Sequence, residues 1–336
     1  MYKKLLSFVL TLSLAAVMLP VSMSPASASM GKPGHYPAVS LGATHHAAIT
    51  ANGDLYTWGD NSTGQLGHGD QFYRDTPTKV EALTDVIAVS LSTADIGQGL
   101  GVLSAAITAD GKLYTWGRNY YGYGDNRRYP PNHKNSDEST PTRVEGLPNV
   151  VSASLDSGEI AVITDEGDLY TWAVDDSGDS DESTIQGTPT KVAELSNVVA
   201  ASLSTGTIAA ITSNGDLYTW GDNRGGQLGH GDETDRSTPT KVESLSNVVA
   251  VSLGSFFSAA VTAEGELYTW GWNSQGQLGH GDVMDRNTPA RVTGLSNVVA
   301  VSLSKVVGIG TLSYGAAITA NGDLYTSLIK TPCKWE

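Results

Sequence analysis

The residues of this sequence that could do chemistry recur at fixed spacings. His68, His230 and His280 each follow the same Gly-Gln-Leu-Gly run and precede the same Gly-Asp pair. Neutral imidazoles are metal ligands, but none of the three has a second His or a Cys at the short spacing of a zinc site, so they read as loop-structuring residues. Asp60-Asn61-Ser62-Thr63-Gly64 and Asp222-Asn223-Arg224-Gly225-Gly226 have the flavour of a calcium loop without its alternating acids or closing Glu. The run Asp175, Asp176, Asp179, Asp181 and Glu182 reads as a solvated loop in preference to a weak calcium site. No nucleophile motif, phosphate-binding glycine loop or isolated acid pair stands apart from the repeated pattern. No catalytic residue, metal site or cofactor is therefore expected, although a carboxylate pair assembled from distant segments stays open.

A different set of residues has the chemistry of recognition. Tyr120, Tyr121, Tyr123, Arg127, Arg128 and Tyr129 crowd one segment, and Tyr and Arg are enriched at interface hot spots. A second set stands three residues before the last Ala of an Ala-Ala-Ile-Thr-like segment, where His45, Leu103, Glu159, Thr207, Phe257 and Tyr314 occupy equivalent places, with Phe256 beside them. A site that changes type in every copy is a candidate for binding; neutral drift of surface loops is the competing reading.

These residues are positioned by a repeat. Leu-Tyr-Thr begins at Leu55, Leu113, Leu169, Leu217, Leu267 and Leu324, and a Ser-Leu marker has its leucine at Leu41, Leu91, Leu155, Leu203, Leu253 and Leu303. Between them a proline recurs at Pro77, Pro141, Pro189, Pro239 and Pro289. From each proline to the next Ser-Leu leucine the step is always 14 residues, whereas the other two steps vary, and the basic unit is 50 residues long. Each unit offers four short segments rich in Val, Ile, Thr, Tyr and Trp with no helical period, the second and third joined by Asn, Asp or Glu before Gly, a tight-hairpin signal. Tandem four-stranded units of this length predict an all-β fold, a β-propeller of four-stranded antiparallel blades with six recognisable repeats beginning near 38, 88, 152, 200, 250 and 300. Trp58, Trp116, Trp172, Trp220 and Trp270 recur at one strand position and are expected to pack between blades.

In such a blade the loops joining strands one to two and three to four leave at one end, and every length change lies in these loops. One end of the blades is constant and the other varied. The varied end is the expected recognition face, centred on the second, fifth and sixth units.

The chain ends carry different signals. Residues 1–28 look like a secretory signal, with Lys3 and Lys4, an apolar run from Leu5 to Leu19 and Ala26-Ser27-Ala28 as cleavage site. Residues 29–326 are then the propeller and 327–336 an atypical tail, with Ile329 to Pro332 a candidate stunted outer strand. With 20 Lys and Arg against 35 Asp and Glu, the formal charge of −15 disfavours nucleic acid as a partner. The single cysteine, Cys333, permits no internal disulfide.

The units resemble the regulator of chromosome condensation repeat. The first carries Gly42, His45, Ala48, Ile49, Thr50, Gly53, Leu55, Tyr56, Trp58, Gly59, Asn61, Gly64, Gln65, Leu66, Gly67, Gly69, Pro77 and Val80 in the order of that pattern. The fourth and fifth follow it closely through Gly221 to Gly231 and Gly271 to Gly281, while the second and third lose Gln-Leu-Gly. The resemblance implies a propeller, usually of seven blades, so that six repeats and an unusual ending allow an incomplete ring. It also implies a secreted, bacterial kind of member. The family's founding activity, nucleotide exchange on a small nuclear GTPase, is not expected of an exported acidic chain. The function expected is a secreted, monomeric binding protein that recognises an extracellular protein, glycan or other cell-surface ligand, with no membrane span. Two alternatives stand beside it: an extracellular enzyme acting on glycans with acids on the same face, and a truncated repeat protein without function.

Overall fold

A computed structural model describes residues 38–42, 44–92, 102–117, 138–156, 158–173, 187–305, 314–326 and 333–334. The expected leader 1–28, the Tyr- and Arg-rich segment and the acidic run 175–182 lie outside the described residues.

All regular structure among the described residues is β. The first blade comprises β1 (Ala38–Leu41), β2 (His45–Ile49), β3 (Leu55–Gly59) and β4 (Arg74–Lys79). The second has β5 (Val86–Leu91), β6 (Leu103–Thr108), β7 (Leu113–Gly117) and β8 (Glu138–Arg143), and the third β9 (Val150–Asp156), β10 (Glu159–Thr164), β11 (Leu169–Ala173) and a short β12 (Thr190–Lys191). The fourth runs through β13 (Val198–Ser204), β14 (Thr207–Thr212), β15 (Leu217–Gly221) and β16 (Arg236–Lys241). The fifth is β17 (Val248–Leu253), β18 (Phe257–Thr262), β19 (Leu267–Gly271) and β20 (Arg286–Arg291). The sixth is β21 (Val298–Leu303), β22 (Gly315–Thr319), β23 (Leu324–Thr326) and β24 (Cys333–Lys334). Every sheet has its four strands in chain order, so the expected fold class is the one observed. The sixth sheet draws its outer strand from the segment expected to be a tail: Cys333 pairs with Thr326 and Lys334 with Tyr325. The stunted strand thus begins one residue beyond the expected Ile329 to Pro332, and the sheet reaches past residue 326.

The described residues fall into two compact units, blades one to three and blades four to six, with Glu166–Leu169 grouped with the second. In the first unit, Ala47, Ile49 and Leu55 pack with Ala106 and Trp116 of the next blade. Leu103, Ile107 and Leu113 then pack with Leu155, Val162 and Trp172. In the second unit, Ala209, Ile211 and Leu217 meet Val251, Leu253 and Trp270, and Phe257, Ala259 and Val261 meet Val301, Leu303 and Ala317. The apolar core therefore lies between neighbouring blades. Both faces of an inner strand are covered, which is why β6 and β18 are buried at all six positions instead of alternating. Each fully buried Leu or Val contributes on the order of 2 kcal/mol of transfer free energy to that packing.

The invariant 14-residue step has a local cause. The first amide of a blade donates to the hairpin glycine of the blade before it: Val86 to Gly53, Val150 to Gly111, Val248 to Gly215 and Val298 to Gly265, at 2.9–3.0 Å. A length change there would break a backbone bond inside the core. Changes at the opposite end of the blade break none of these.

Candidate functional site

At the varied end, the loop from strand three to strand four is built the same way in blades one, four and five. Thr57, Thr219 and Thr269, on β3, β15 and β19, each donate the hydroxyl proton to the carbonyl of Leu66, Leu228 or Leu278 at 2.7 Å. His68, His230 and His280 lie 2.9–3.0 Å from the same hydroxyl oxygens. With the hydroxyl proton committed, Nε2–H of each imidazole is the donor, and burial holds each histidine below its ordinary pKa. These histidines therefore structure their loops, as their sequence context suggested.

A buried asparagine closes each loop. Asn61, Asn223 and Asn273 are fully buried; Oδ1 accepts the amide of Leu66, Leu228 or Leu278, and Nδ2 donates to the carbonyl of Asp70, Asp232 or Asp282. The carboxylate of that aspartate grips Arg74, Arg236 or Arg286 through two parallel bonds. The arginine side chain holds Asp70 and Asp232 down to about 2. In the calcium-like loops Asp60 accepts from Ser62 and Gln65 Nε2 and Asp222 from Arg224, and among the described residues no three His, Cys, Asp or Glu gather as a metal site.

The repeated tryptophans fasten one blade to the next. Trp116 Nε1 donates to the Gln65 carbonyl and Trp270 Nε1 to the Gln227 carbonyl, both at 2.8 Å, and Ser104 and Ser258 donate hydroxyl protons to the same two oxygens. Gly67 and Gly229, at φ +81° and +82°, lie so close over these indoles that a Cβ would come within 2.9 Å and 2.8 Å of Nε1. Only glycine meets both demands. Trp172 and Trp220 are also buried, Trp58 is half-buried against the His46 ring, and Trp172 Nε1 has no hydrogen-bond partner among the described residues. In sequence, blade two lacks the Gln-Leu-Gly run that blades one and four carry after strand three.

The varying position at the head of strand two departs from the surface role expected of it. His45 and Phe257 are 0% exposed and Leu103 is 2% exposed. They are not direct contact residues: blades on either side cover β6 and β18 within their units, and Ser104 of the next blade lies against the His45 ring. The His45 ring lies over Gly42 and the Phe257 ring over Gly254, where a Cβ would strike them. Ser104 gives its proton to Gln65, so His45 Nε2–H donates to Ser104 Oγ at 3.1 Å and Nδ1 has no partner among the described residues. Burial, then neighbouring His46, lowers the His45 pKa to about 4. Thr207 is buried as well, whereas Tyr314 is exposed.

Glu159 is the chemically unusual member of the series. It starts β10 opposite Asp156, is mostly buried, and its Oε2 has no hydrogen-bond partner among the described residues. Burial first, and Asp156 second, push its carboxyl up to about 7. Tyr120, Tyr121, Tyr123, Arg127, Arg128 and Tyr129 fall outside the described residues.

Sequence reasoning missed Trp272. It is 46% exposed and packs edge-on against Phe256, ring centroids 5.9 Å apart at 80°. Its amide donates to the Phe256 carbonyl at 2.8 Å. The signal was present: Gly-Trp-Asn stands where blades one and four have Gly-Asp-Asn.

Six successive antiparallel four-stranded sheets, packed face to face within each unit and fastened by a tryptophan on strand three, define a β-propeller. The chain belongs to the family of the Regulator of chromosome condensation (RCC1) repeat, which matches residues 52–93, 214–261 and 264–305 in one form and 38–65, 104–122, 198–227 and 248–277 in a second, together more than half of the chain. Among curated proteins it is 34% identical over 146 residues to the E3 ubiquitin-protein ligase HERC2 of Homo sapiens, a match covering 42% of this chain and 3% of that one. It is also 34% identical over 140 residues to the mitochondrial RCC1 domain-containing protein RUG3 of Arabidopsis thaliana, covering 40% and 29%. The chain thus spans under a third of either relative. Among solved structures it resembles Prp20p of Saccharomyces cerevisiae, at TM-score 0.68 and 19% identity over 89% of this chain and 76% of that one. Human WBSCR16 is similar at TM-score 0.61 and 22% identity, covering 79% and 69%. At these identities the likeness is one of fold.

Proposed function

We propose that this chain is a secreted, non-catalytic binding protein that recognises an extracellular protein through the loops joining strands one to two and three to four. The observation that carries the reading is the asymmetry of the blades. Their hairpin end is locked by repeated backbone bonds and keeps one length, while the opposite end changes length and exposes Phe72, Tyr73, Trp272, Val283 and Met284. Rigid scaffolds that vary loops at one end are suited to recognition. Prp20p, whose fold this chain shares, has binding properties to Gsp1p and histones. That supports the use of this fold as a binding scaffold and names no partner for this chain. The deficit of basic residues favours a partner other than nucleic acid.

The test compares capture of proteins from culture fluid by the purified chain and two variants. One changes Tyr120, Tyr121, Tyr123, Arg127, Arg128 and Tyr129 to Ser; the other changes Glu166, Asn214 and Glu264, at the hairpin end, to Ala. The first is expected to lose a partner that the second keeps. Equal retention by both refutes the assignment of recognition to the varied end.

A second reading rests on Glu159. A buried carboxyl held protonated near neutrality beside another carboxyl is the setting of a general acid in glycan hydrolysis. Turnover of a polysaccharide that Glu159→Gln abolishes, in a variant that still melts cooperatively and no lower than wild type, would establish it in place of the first.

A further inference from the structure

Blade five departs from its siblings at two positions that touch. Blades three and four place glycine before strand two, Gly158 and Gly206 at φ +91° and +73°; blade five places Phe256 there at φ +65°. A bulky residue in this left-handed region is strained, and such strain concentrates at functional sites. At the partnered position blades one and four have Asp60 and Asp222. Asp60 accepts the Ser62 amide and Gln65 Nε2, and Asp222 accepts the Arg224 amide, so each braces its own loop. Blade five has Trp272, which forgoes that brace and exposes its indole. Both replacements worsen the scaffold, and together they make one exposed aromatic pair.

The loop of blade four borders this pair, since a Cβ on Gly225 would lie 3.0 Å from the Phe256 carbonyl and 3.1 Å from its side chain. The charged side chains of the blade-four and blade-five loops have one sign in excess. In the strand-three-to-four segments of blades four and five, Arg224, Arg236 and Arg286 are held by Asp222, Asp232 and Asp282. Glu233, Asp235 and Asp285 remain, exposed and without a cationic partner in the ion pairs of these loops. Asp235 and Asp285 keep charge to spare while accepting the amides of Asn223 and Asn273. The face of a tryptophan attracts a cation, and surrounding carboxylates reinforce the attraction.

We infer that Trp272, supported by Phe256, is the anchor point for a basic side chain, Lys or Arg, projecting from a partner protein. This rests on the proposed recognition role and names the chemistry that one part of the varied end accepts. Trp272 supplies the stacking surface, Asp285, which accepts the amide of the adjacent Asn273, supplies the nearest negative charge, and the acidic excess of the two loops draws the cation in.

The test uses the full secreted chain and an acetylated, amidated hexa-arginine peptide, with hexa-glutamate and the neutral oligosaccharide chitohexaose as comparators, read by titration calorimetry at low and at physiological salt. The variant is Phe256→Gly with Trp272→Asp, which puts in blade five the residues its siblings use and so preserves the fold, checked by its melting temperature. The expected result is hexa-arginine binding about tenfold weaker in the variant, although it carries one more negative charge, and no binding of hexa-glutamate. Equal affinity in both proteins would show general attraction to an acidic surface and overturn the inference. Binding of chitohexaose that the variant loses, without a change for hexa-arginine, would overturn it too, assigning the aromatic pair to a sugar. Retained capture of the culture-fluid partner by the double variant, where the Tyr and Arg variant of the second blade loses it, would sink this inference and leave the recognition role standing.

Discussion

Replacing Glu159 with Gln should stabilise the protein at neutral and alkaline pH and do nothing in acid. In the folded state burial raises the Glu159 carboxyl from its ordinary 4.5 to about 7. Between those values the folded chain holds a proton that the unfolded chain has released, so stability is full below pH 4.5 and drains away as pH rises through 7. At about 1.4 kcal/mol per pH unit, the span amounts to about 3 kcal/mol lost by pH 8. Glutamine keeps the shape and never ionises. Urea midpoints at pH 4.5 and pH 8 measure the effect: wild type and Glu159→Gln should coincide at the lower pH and separate by about 3 kcal/mol at the upper, the variant being more stable. An equal difference at both values, or a less stable variant at pH 8, would refute the argument that Glu159 is buried without compensation.

His45 carries the opposite dependence: its pKa falls to about 4, so the unfolded chain takes up a proton first and stability is full above pH 6.5 and lost towards pH 4, by about 3 kcal/mol. Phenylalanine, which blade five uses at this position, should remove that slope, seen as a His45→Phe minus wild-type difference that grows below pH 6 in thermal melts. Asn223→Ala strips the Leu228 amide of its acceptor inside a buried loop and should cost about 2–4 kcal/mol in denaturant unfolding. Trp270→Phe leaves the Gln227 carbonyl with only the Ser258 hydroxyl and opens a small void, for a loss of about 2–3 kcal/mol by the same measurement.

The fold was legible because its determinants are local and repeated: the Asn-Gly or Glu-Gly hairpin, the Leu-Tyr-Thr strand and the fixed 14-residue step each follow from contacts within a blade or to the next. The role of His68, His230 and His280 was readable from their shared context. The Asp-x-x-x-Arg spacing of Asp70 with Arg74, Asp232 with Arg236 and Asp282 with Arg286 was equally available and pointed to the ion pairs that brace each loop. The burial of His45, Leu103 and Phe257 was not readable, because it depends on a neighbouring blade about 50 residues away, and variation of type looks the same in a loop and in a packed interface. Trp272 hid for a related reason. A repeat draws attention to the positions that match, and its single mismatch in blade five becomes informative only when the chain brings Phe256 against it. Phe256 stood among the candidate residues, but its left-handed backbone belongs to a turn that sequence would assign to glycine.

The indole-to-carbonyl bonds from Trp116 to Gln65 and from Trp270 to Gln227 have a consequence for how such a chain diversifies. A loop at the varied end takes its shape partly from the strand that follows in the next blade, so the piece that transplants intact is offset from the sequence repeat. It begins at strand three of one blade and ends at the tryptophan of the next. Shuffling by whole repeats would separate each loop from the residue that holds it, whereas shuffling by the offset segment would carry lock and key together. Libraries built on this scaffold should be cut after the tryptophan, not at the Ser-Leu marker.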